Sequence, residues 1–241
     1  MTAAKGLFVT GTDTGVGKTL VSCALLNMLR EEGLRAAGFK PVSCGTESSA
    51  DGRGEIWADA EALRAASGSV QSLDSVSPLR FKAPLAPTLA ARAEGRSVDL
   101  NRAREELARL KAGFEAVIVE GVGGWLVPLD EKTLAADFAA ELKWPVLVVG
   151  RTALGTINHT LLTLREIRRA GLELAGVVLS DSGCGAPQPG AVEEIERIAG
   201  LRVLAVLPRL EESSAAASGT TQAVQAAAIL SRSFNASALL K

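Results

Sequence analysis

The segment Gly11-Thr12-Asp13-Thr14-Gly15-Val16-Gly17-Lys18-Thr19 carries the densest chemical information in this 241-residue chain. Gly15 and Gly17 let backbone N–H groups turn inward toward phosphate oxygens, and a helix opening beyond them adds the positive end of its dipole. In that setting Lys18 reaches the β- and γ-phosphates, and the Thr19 hydroxyl binds Mg²⁺. The strict spacing G-x-x-x-x-G-K-[ST] would place glycine where Thr12 stands, so this is a variant phosphate loop. An ordinary glycine-rich turn opening a helix is the bland reading. It is outweighed by context, since an apolar strand precedes the loop and a helical pattern comes after it.

Two carboxylates and a second lysine are candidates to work with that loop. Glu120 ends an apolar run, where its carboxylate would emerge at the edge of a sheet and hold a metal ion; the alternative is a strand-terminal Glu facing solvent. The following Gly121-Val122-Gly123-Gly124 offers backbone donors to an anion or forms a tight turn. Asp59 opens a helical pattern and is a second metal ligand or an acid that favours the helix dipole. Lys40 closes another strand; beside a phosphate site such a cation has an anion to meet, unless it snorkels to the surface. His159 reads as a packed helix residue. As the only histidine, it leaves no multi-histidine metal site in one chain and little support for a Ser-His-Asp arrangement. Trp125 and Trp144 read as core or interface residues.

These residues need a frame, and the apolar pattern supplies one. Short strands are expected at Gly6–Thr10, Ala36–Val42, Ala116–Glu120, Pro145–Gly150, Leu174–Leu179 and Val203–Leu207. Helical spacing marks Thr19–Glu32, Ala58–Ala66, Pro87–Glu94, Asp99–Ala112, Thr133–Leu142, Thr156–Ala170 and Gly190–Ala199, with a polar loop over Gly45–Ile56. Continuous apolar strands alternating with amphipathic helices predict an α/β fold of P-loop NTPase type. Its sheet is mostly parallel, with helices on both faces and ligands beyond the carboxyl ends of the strands. One domain is expected over 1–241, with 213–241 as a tail carrying one helix near Gln222–Leu230.

Composition removes several alternatives. Lys plus Arg is 26 and Asp plus Glu is 27, so no electrostatic case exists for a dedicated nucleic-acid binder. Cys23, Cys44 and Cys184 are far apart in sequence, which argues against disulfide or zinc frameworks and fits a reducing, cytoplasmic setting. No apolar stretch approaches the ~18 residues of a membrane span, and Met1–Lys5 leaves no room for a signal peptide.

Several strings together resemble the dethiobiotin synthetases, ATP-dependent enzymes of biotin synthesis. They are Phe8–Thr19, Ala37-Gly38-Phe39-Lys40-Pro41-Val42, Val117–Gly124, Leu154–Thr160 and Gly176–Asp181, in family order over residues 5 to 210. The resemblance implies a homodimer that uses ATP, Mg²⁺ and CO₂ to close the ureido ring of dethiobiotin from 7,8-diaminononanoate. It implies that Lys18 and Lys40 offset charge on carbamate and phosphoryl, and that Thr19, Asp59 and Glu120 hold Mg²⁺. Thr14–Thr19 and Glu120-Gly121-Val122-Gly123 would line the phosphates. Ser180, Asp181, Pro208, Arg209 and Leu210 would surround the base. Thr14, Lys40 and either Ser43 or Cys44 would touch the diamine.

The chain departs from the family pattern at three places. Gly15 stands where many relatives carry Glu, and Cys44 aligns with a usual Ser. Ser180 replaces an Asn that contacts adenine, and a hydroxyl reaches less far than an amide. Two rival readings remain. A cobyrinate-type amide synthase would need a glutaminase domain, with a nucleophilic Cys and a His partner, that this chain lacks. A partitioning ATPase, a nucleotide-switched binding module, would carry a signature Lys where Asp13 stands, and often a basic amphipathic tail.

Overall fold

Side chains that alternate between two buried faces build the centre of the molecule. The computed structural model of the chain describes residues 4–48, 54–210 and 218–241. In chain order the elements are β1 (Lys5–Gly11), α1 (Lys18–Glu31), β2 (Ala36–Phe39), β3 (Val42–Cys44), β4 (Glu47–Ser48) and β5 (Glu55–Ile56). Then come α2 (Ala58–Ala66), α3 (Leu73–Val76), β6 (Leu79–Phe81), α4 (Pro87–Ala93), α5 (Leu100–Gly113) and β7 (Ala116–Gly124). The remainder is α6 (Ala135–Leu142), β8 (Val146–Arg151), α7 (Thr156–Arg169), β9 (Leu174–Ser180), α8 (Ala191–Ala199), β10 (Val203–Leu207) and α9 (Ser218–Leu230), closed by a 3₁₀ turn at Ala236–Leu239.

The main sheet has the order β10-β9-β8-β1-β7-β2, and each of its pairings is parallel. Leu7 and Val9 of β1, Ile118 of β7 and Leu147 and Val149 of β8 face α1, α2 and α9. Phe8, Val117, Val119, Val146 and Val148 point the other way, into a core shared with α5, α6, α7 and α8. Period-two alternation therefore buries both faces. Gly6 is required by packing: a Cβ there would lie 2.2 Å from the Trp144 ring. Trp144 and Trp125 are both buried core residues.

The structure corrects several boundaries. The expected strand Ala36–Val42 is two strands. At Lys40 the backbone N–H leaves the sheet for the Val76 carbonyl at 2.8 Å, and Pro41 cannot donate to a ladder. Beyond Pro41, β3 pairs in parallel with β6, outside the main sheet. The expected loop Gly45–Ile56 contains the small antiparallel pair β4–β5; its residues 49–53 lie outside the described residues. The expected helix from Thr133 starts at Ala135, because Asp137 takes the Leu134 N–H at 2.8 Å and Asp130 that of Thr133 at 2.7 Å. Gly121–Gly124 continues β7 rather than turning.

Of the expected tail, 213–217 lies outside the described residues, and the chain from Ser218 onward is well packed. On α9, Ala223, Ala226, Ala227 and Leu230 are buried in the same core as α1. Glu32 accepts the backbone N–H groups of Ala236 and Ser237, and the Lys241 backbone bonds that of Gly6. Among the described residues no helix is long and apolar enough to cross a membrane.

Candidate active site

The parallel topology brings three strand ends together. With β7 inserted between β1 and β2, the phosphate loop after β1, Glu120 on β7 and Lys40 after β2 share the carboxyl edge of the sheet. The loop leaves β1 at Gly11 and enters α1 at Lys18 through Gly17, whose φ of 95° favours glycine. A Cβ on Gly17 would also come within 2.9 Å of the Ser180 hydroxyl. The Lys18 ammonium donates to the Asp13 carbonyl at 2.9 Å, bridging the loop. Asp13 itself is paired with Arg151 from the end of β8, so the position at which a partitioning ATPase carries a cation holds an anion.

Beside the loop four side chains close on one another. The Lys40 ammonium donates to Glu120 Oε1 at 2.7 Å and to Asp59 Oδ2. The Thr19 hydroxyl lies 2.9 Å from Asp59 Oδ1 and 3.0 Å from Glu120 Oε1. Lys40 is 4% exposed and Glu120 is 0% exposed, which excludes the snorkelling and solvent-facing alternatives. Asp59 sits in the first turn of α2, held against α1 by packing. It serves the helix dipole and the cluster at once.

The cluster's electrostatics follow from that geometry. Burial would lower the Lys40 pKa, but Glu120 and Asp59 more than reverse this and hold the ammonium above its ordinary range. Burial would raise the Asp59 carboxyl; Lys40, with help from Thr19, brings it below its ordinary value instead. Lys18 has no such contact with a carboxylate. Desolvation dominates there and lowers its pKa, although Glu120 pulls the other way. One hydroxyl proton cannot serve both carboxylates near Thr19 at once, and Glu120 Oε2 is buried without a partner. Oxygen donors thus outnumber protons at this point, a setting that suits a hard cation.

An open cleft of about 830 Å³ lies over the cluster. Its walls include Thr14, Gly15, Gly17, Lys18, Thr19, Lys40, Cys44, Asp59, Glu120, Val122 and Gly123 at one end. Ser180 at the end of β9 lines it too, with Asp181, Pro208, Arg209 and Leu210 on the loops after β9 and β10. Known proteins resemble this chain in sequence and in fold. A family model described as an AAA domain matches residues 5–217. The chain is 50% identical over 209 residues to the ATP-dependent dethiobiotin synthetase BioD of Anaeromyxobacter dehalogenans (strain 2CP-C), covering 85% of this chain and 90% of that one. The chain belongs to the dethiobiotin synthetase family. The protein of the same name from Bacillus licheniformis is 40% identical over 212 residues, 87% of this chain and 88% of its own. In fold the chain is similar to the cell division ATPase MinD of Pyrococcus furiosus, with a TM-score of 0.54 at 18% identity over 95% of this chain and 98% of that one.

Within this dethiobiotin synthetase fold, three of the expected site residues are turned away from the cleft. The Val16 side chain is buried in the core beneath the loop. Gly121 faces the Phe8 ring, which a Cβ would approach to 3.1 Å. Ser43 is buried, with its hydroxyl 2.8 Å from that of Ser77. Of the pair Ser43 and Cys44, only Cys44 reaches the cleft, and burial pushes its thiol up to about 11. Residues not singled out in the sequence also line it: Leu20, the turn Pro84-Leu85-Ala86-Pro87, Val127, Ser182 and Gln222. All are uncharged and offer little chemical signal in sequence. The doubled proline around Leu85-Ala86 is the one mark that could have flagged a fixed turn. His159 lies on α7, half-buried, and does not line the cleft.

Proposed function

We propose that this protein is an ATP-dependent dethiobiotin synthetase, closing a ureido ring on 7,8-diaminononanoate with CO₂ and releasing ADP and phosphate. The observation that carries the reading is the Lys40 ammonium, buried between Glu120 and Asp59 beside the phosphate loop. A buried cation at that position suits a reaction that gathers negative charge on a carbamate and a transferring phosphoryl group. One amine adds to CO₂ and loses a proton, giving a carbamate. A carbamate oxygen attacks the γ-phosphorus and ADP leaves. The second amine then attacks the carbonyl carbon of the mixed anhydride, the C–O bond to phosphate breaks, and the ring closes with loss of a proton.

Little covalent work falls to the protein, so positioning and charge stabilisation dominate. The loop backbone from Thr14 to Thr19 cradles phosphate oxygens. Lys18 exchanges the Asp13 carbonyl for the nucleotide's oxygens. Lys40 stands between the carbamate and the transferring phosphoryl group, while Thr14 and Cys44 flank the diamine. Pro208, Arg209 and Leu210 border the base.

Thr19, Asp59 and Glu120 suit Mg²⁺, which favours oxygen ligands and takes one or two carboxylates while keeping waters and phosphates. Glu120 Oε2, buried and unpartnered, supports that fit. Among the described residues no group of three or more His, Cys, Asp or Glu side chains gathers, so no all-protein cage competes with it. Held by Thr19, Asp59 and Glu120, the ion would supply charge neutralisation to the phosphates.

The reading includes a homodimer in a reducing cytoplasm. Widely spaced free cysteines suit the reducing setting, and exposed apolar side chains such as Leu126, Leu154 and Leu162 are available to a partner copy. Phosphate release should require diaminononanoate, bicarbonate and Mg²⁺ together. Robust ATP hydrolysis without the diamine, stimulated by DNA or lipid, would overturn the proposal in favour of a nucleotide switch.

A further inference from the structure

We propose that Gln222 sets the base preference of the cleft, favouring nucleotides whose ring carries an exocyclic amine over those with a carbonyl in its place. The inference rests on the nucleotide site proposed above and identifies the side chain that reads the base there.

Two polar groups at that end are already engaged in part, and a third lies over a neighbouring glycine. Ser180 is 2% exposed and its hydroxyl lies against the phosphate loop at Gly17, so it presents little surface to a base. Asp181 Oδ1 accepts the Gly183 N–H at 2.9 Å. The Arg209 guanidinium lies over Gly183, where a Cβ would come within 2.7 Å of it. Gln222, from α9, lines the same cleft and sits beside Leu210. It lies past residue 217, where the match to the family model ends.

The neighbouring Leu210 carbonyl biases the polarity of its amide. The side chain reaches the Leu210 carbonyl at 3.4 Å. A carbonyl only accepts, so the atom that meets it is Nε2, and Oε1 is left as an acceptor in a cleft-lining side chain. An acceptor pairs with the 6-amino group of adenine or the 4-amino group of cytosine. Facing the O6 of guanine or the O4 of uracil, it would set oxygen against oxygen. Reversing the amide to suit those bases would turn Oε1 toward the Leu210 oxygen. The readout thus distinguishes the class of base rather than adenine alone.

The test compares dethiobiotin formation from ATP, CTP, GTP and UTP by the unaltered chain and by Gln222→Leu, with Gln222→Ala as a second variant should the first fail to fold. For the unaltered chain, kcat/KM is expected to be roughly tenfold higher for ATP than GTP and for CTP than UTP, the discrimination available to one hydrogen bond set against two facing acceptors. In the variants both ratios should fall to within about twofold of unity, with the KM for the diamine unchanged. A purely structural tie between α9 and Leu210 would lower all four rates together and leave the ratios intact; that result overturns the proposal, as does an unaltered chain indifferent to base. Absence of dethiobiotin from the unaltered chain with every nucleotide would instead overturn the enzyme reading beneath it.

Discussion

The two ends of the cleft are built on different principles. At the phosphate end, Lys18 and Thr19 project from the first turn of α1, Glu120 from within β7, Lys40 from just after β2 and Asp59 from the first turn of α2. Thr19, Lys40, Glu120 and Asp59 are linked to one another by hydrogen bonds and ion pairs, and Lys18 bridges the loop to the Asp13 carbonyl. At the other end, Asp181, Pro208, Arg209 and Leu210 belong to loops, and Gln222 comes from a helix far along the chain. Charge transfer chemistry needs groups that do not reorganise, which regular elements provide. Base recognition needs only modest discrimination, and loops can supply it. The difference implies that substitutions at the first end should damage the reaction, and those at the second should change which nucleotide enters.

The largest effect is expected from Lys40→Ala. Turnover should fall at least about a hundredfold from lost charge stabilisation. Leaving Glu120 buried without its cation should also cost about 3 kcal/mol of stability. Initial rates alongside thermal unfolding check both parts; near-normal kinetics would erase the contrast between the two ends.

The same pair predicts how that stability loss varies with pH. Asp59 is held below its ordinary value of 3.8, so its contribution is complete above about pH 4 and is lost as pH falls through the depressed value. Lys40 is held above its ordinary 10.5, so its contribution is complete below that pH and is lost only as pH rises through the elevated value. Unfolding curves of the unaltered chain and Lys40→Ala should therefore differ most between about pH 5 and pH 10 and converge at both extremes. A difference independent of pH would show that the ion pairs contribute little.

A smaller effect sharpens the boundary between the ends. The Cys44 thiol is pushed up to about 11 by burial, so near pH 8 it should hold roughly a hundredfold less thiolate than an ordinary cysteine. Peptide mass spectrometry after brief iodoacetamide treatment should find exposed Cys184 labelled well before Cys44. Equal labelling would mean that the cleft around Cys44 is more open than its packing indicates.

The phosphate end was legible because its residues carry charge and sit at boundaries between periodic segments. Gly15 to Thr19 comes after one apolar strand and Glu120 ends an apolar run, although β7 continues beyond it to Gly124, and each position implies the carboxyl side of a sheet. What a strand reading could not supply was the break at Pro41, where β3 leaves to pair with β6 some 37 residues on, as Val42 meets Leu79. Three-residue strands are too short to show a period. The turn at Pro84–Pro87 and the amide of Gln222 were hidden for another reason: neither carries charge, and their place in the cleft depends on tertiary packing alone. The Ala-rich α9 gave a weak apolar signal, yet small side chains are what let it lie close against α1.

The central claim is that one cleft joins a carbamate to the γ-phosphate, and oxygen-18 can track that bond directly. Freshly dissolved ¹⁸O-bicarbonate is supplied with ATP, diaminononanoate and Mg²⁺, and the phosphate released is read by mass spectrometry before label exchanges with water. The account predicts one labelled oxygen carried from the carbamate into phosphate for each dethiobiotin formed. Phosphate free of label while dethiobiotin accumulates would contradict it, because the carbamate oxygen would then never have met the phosphorus.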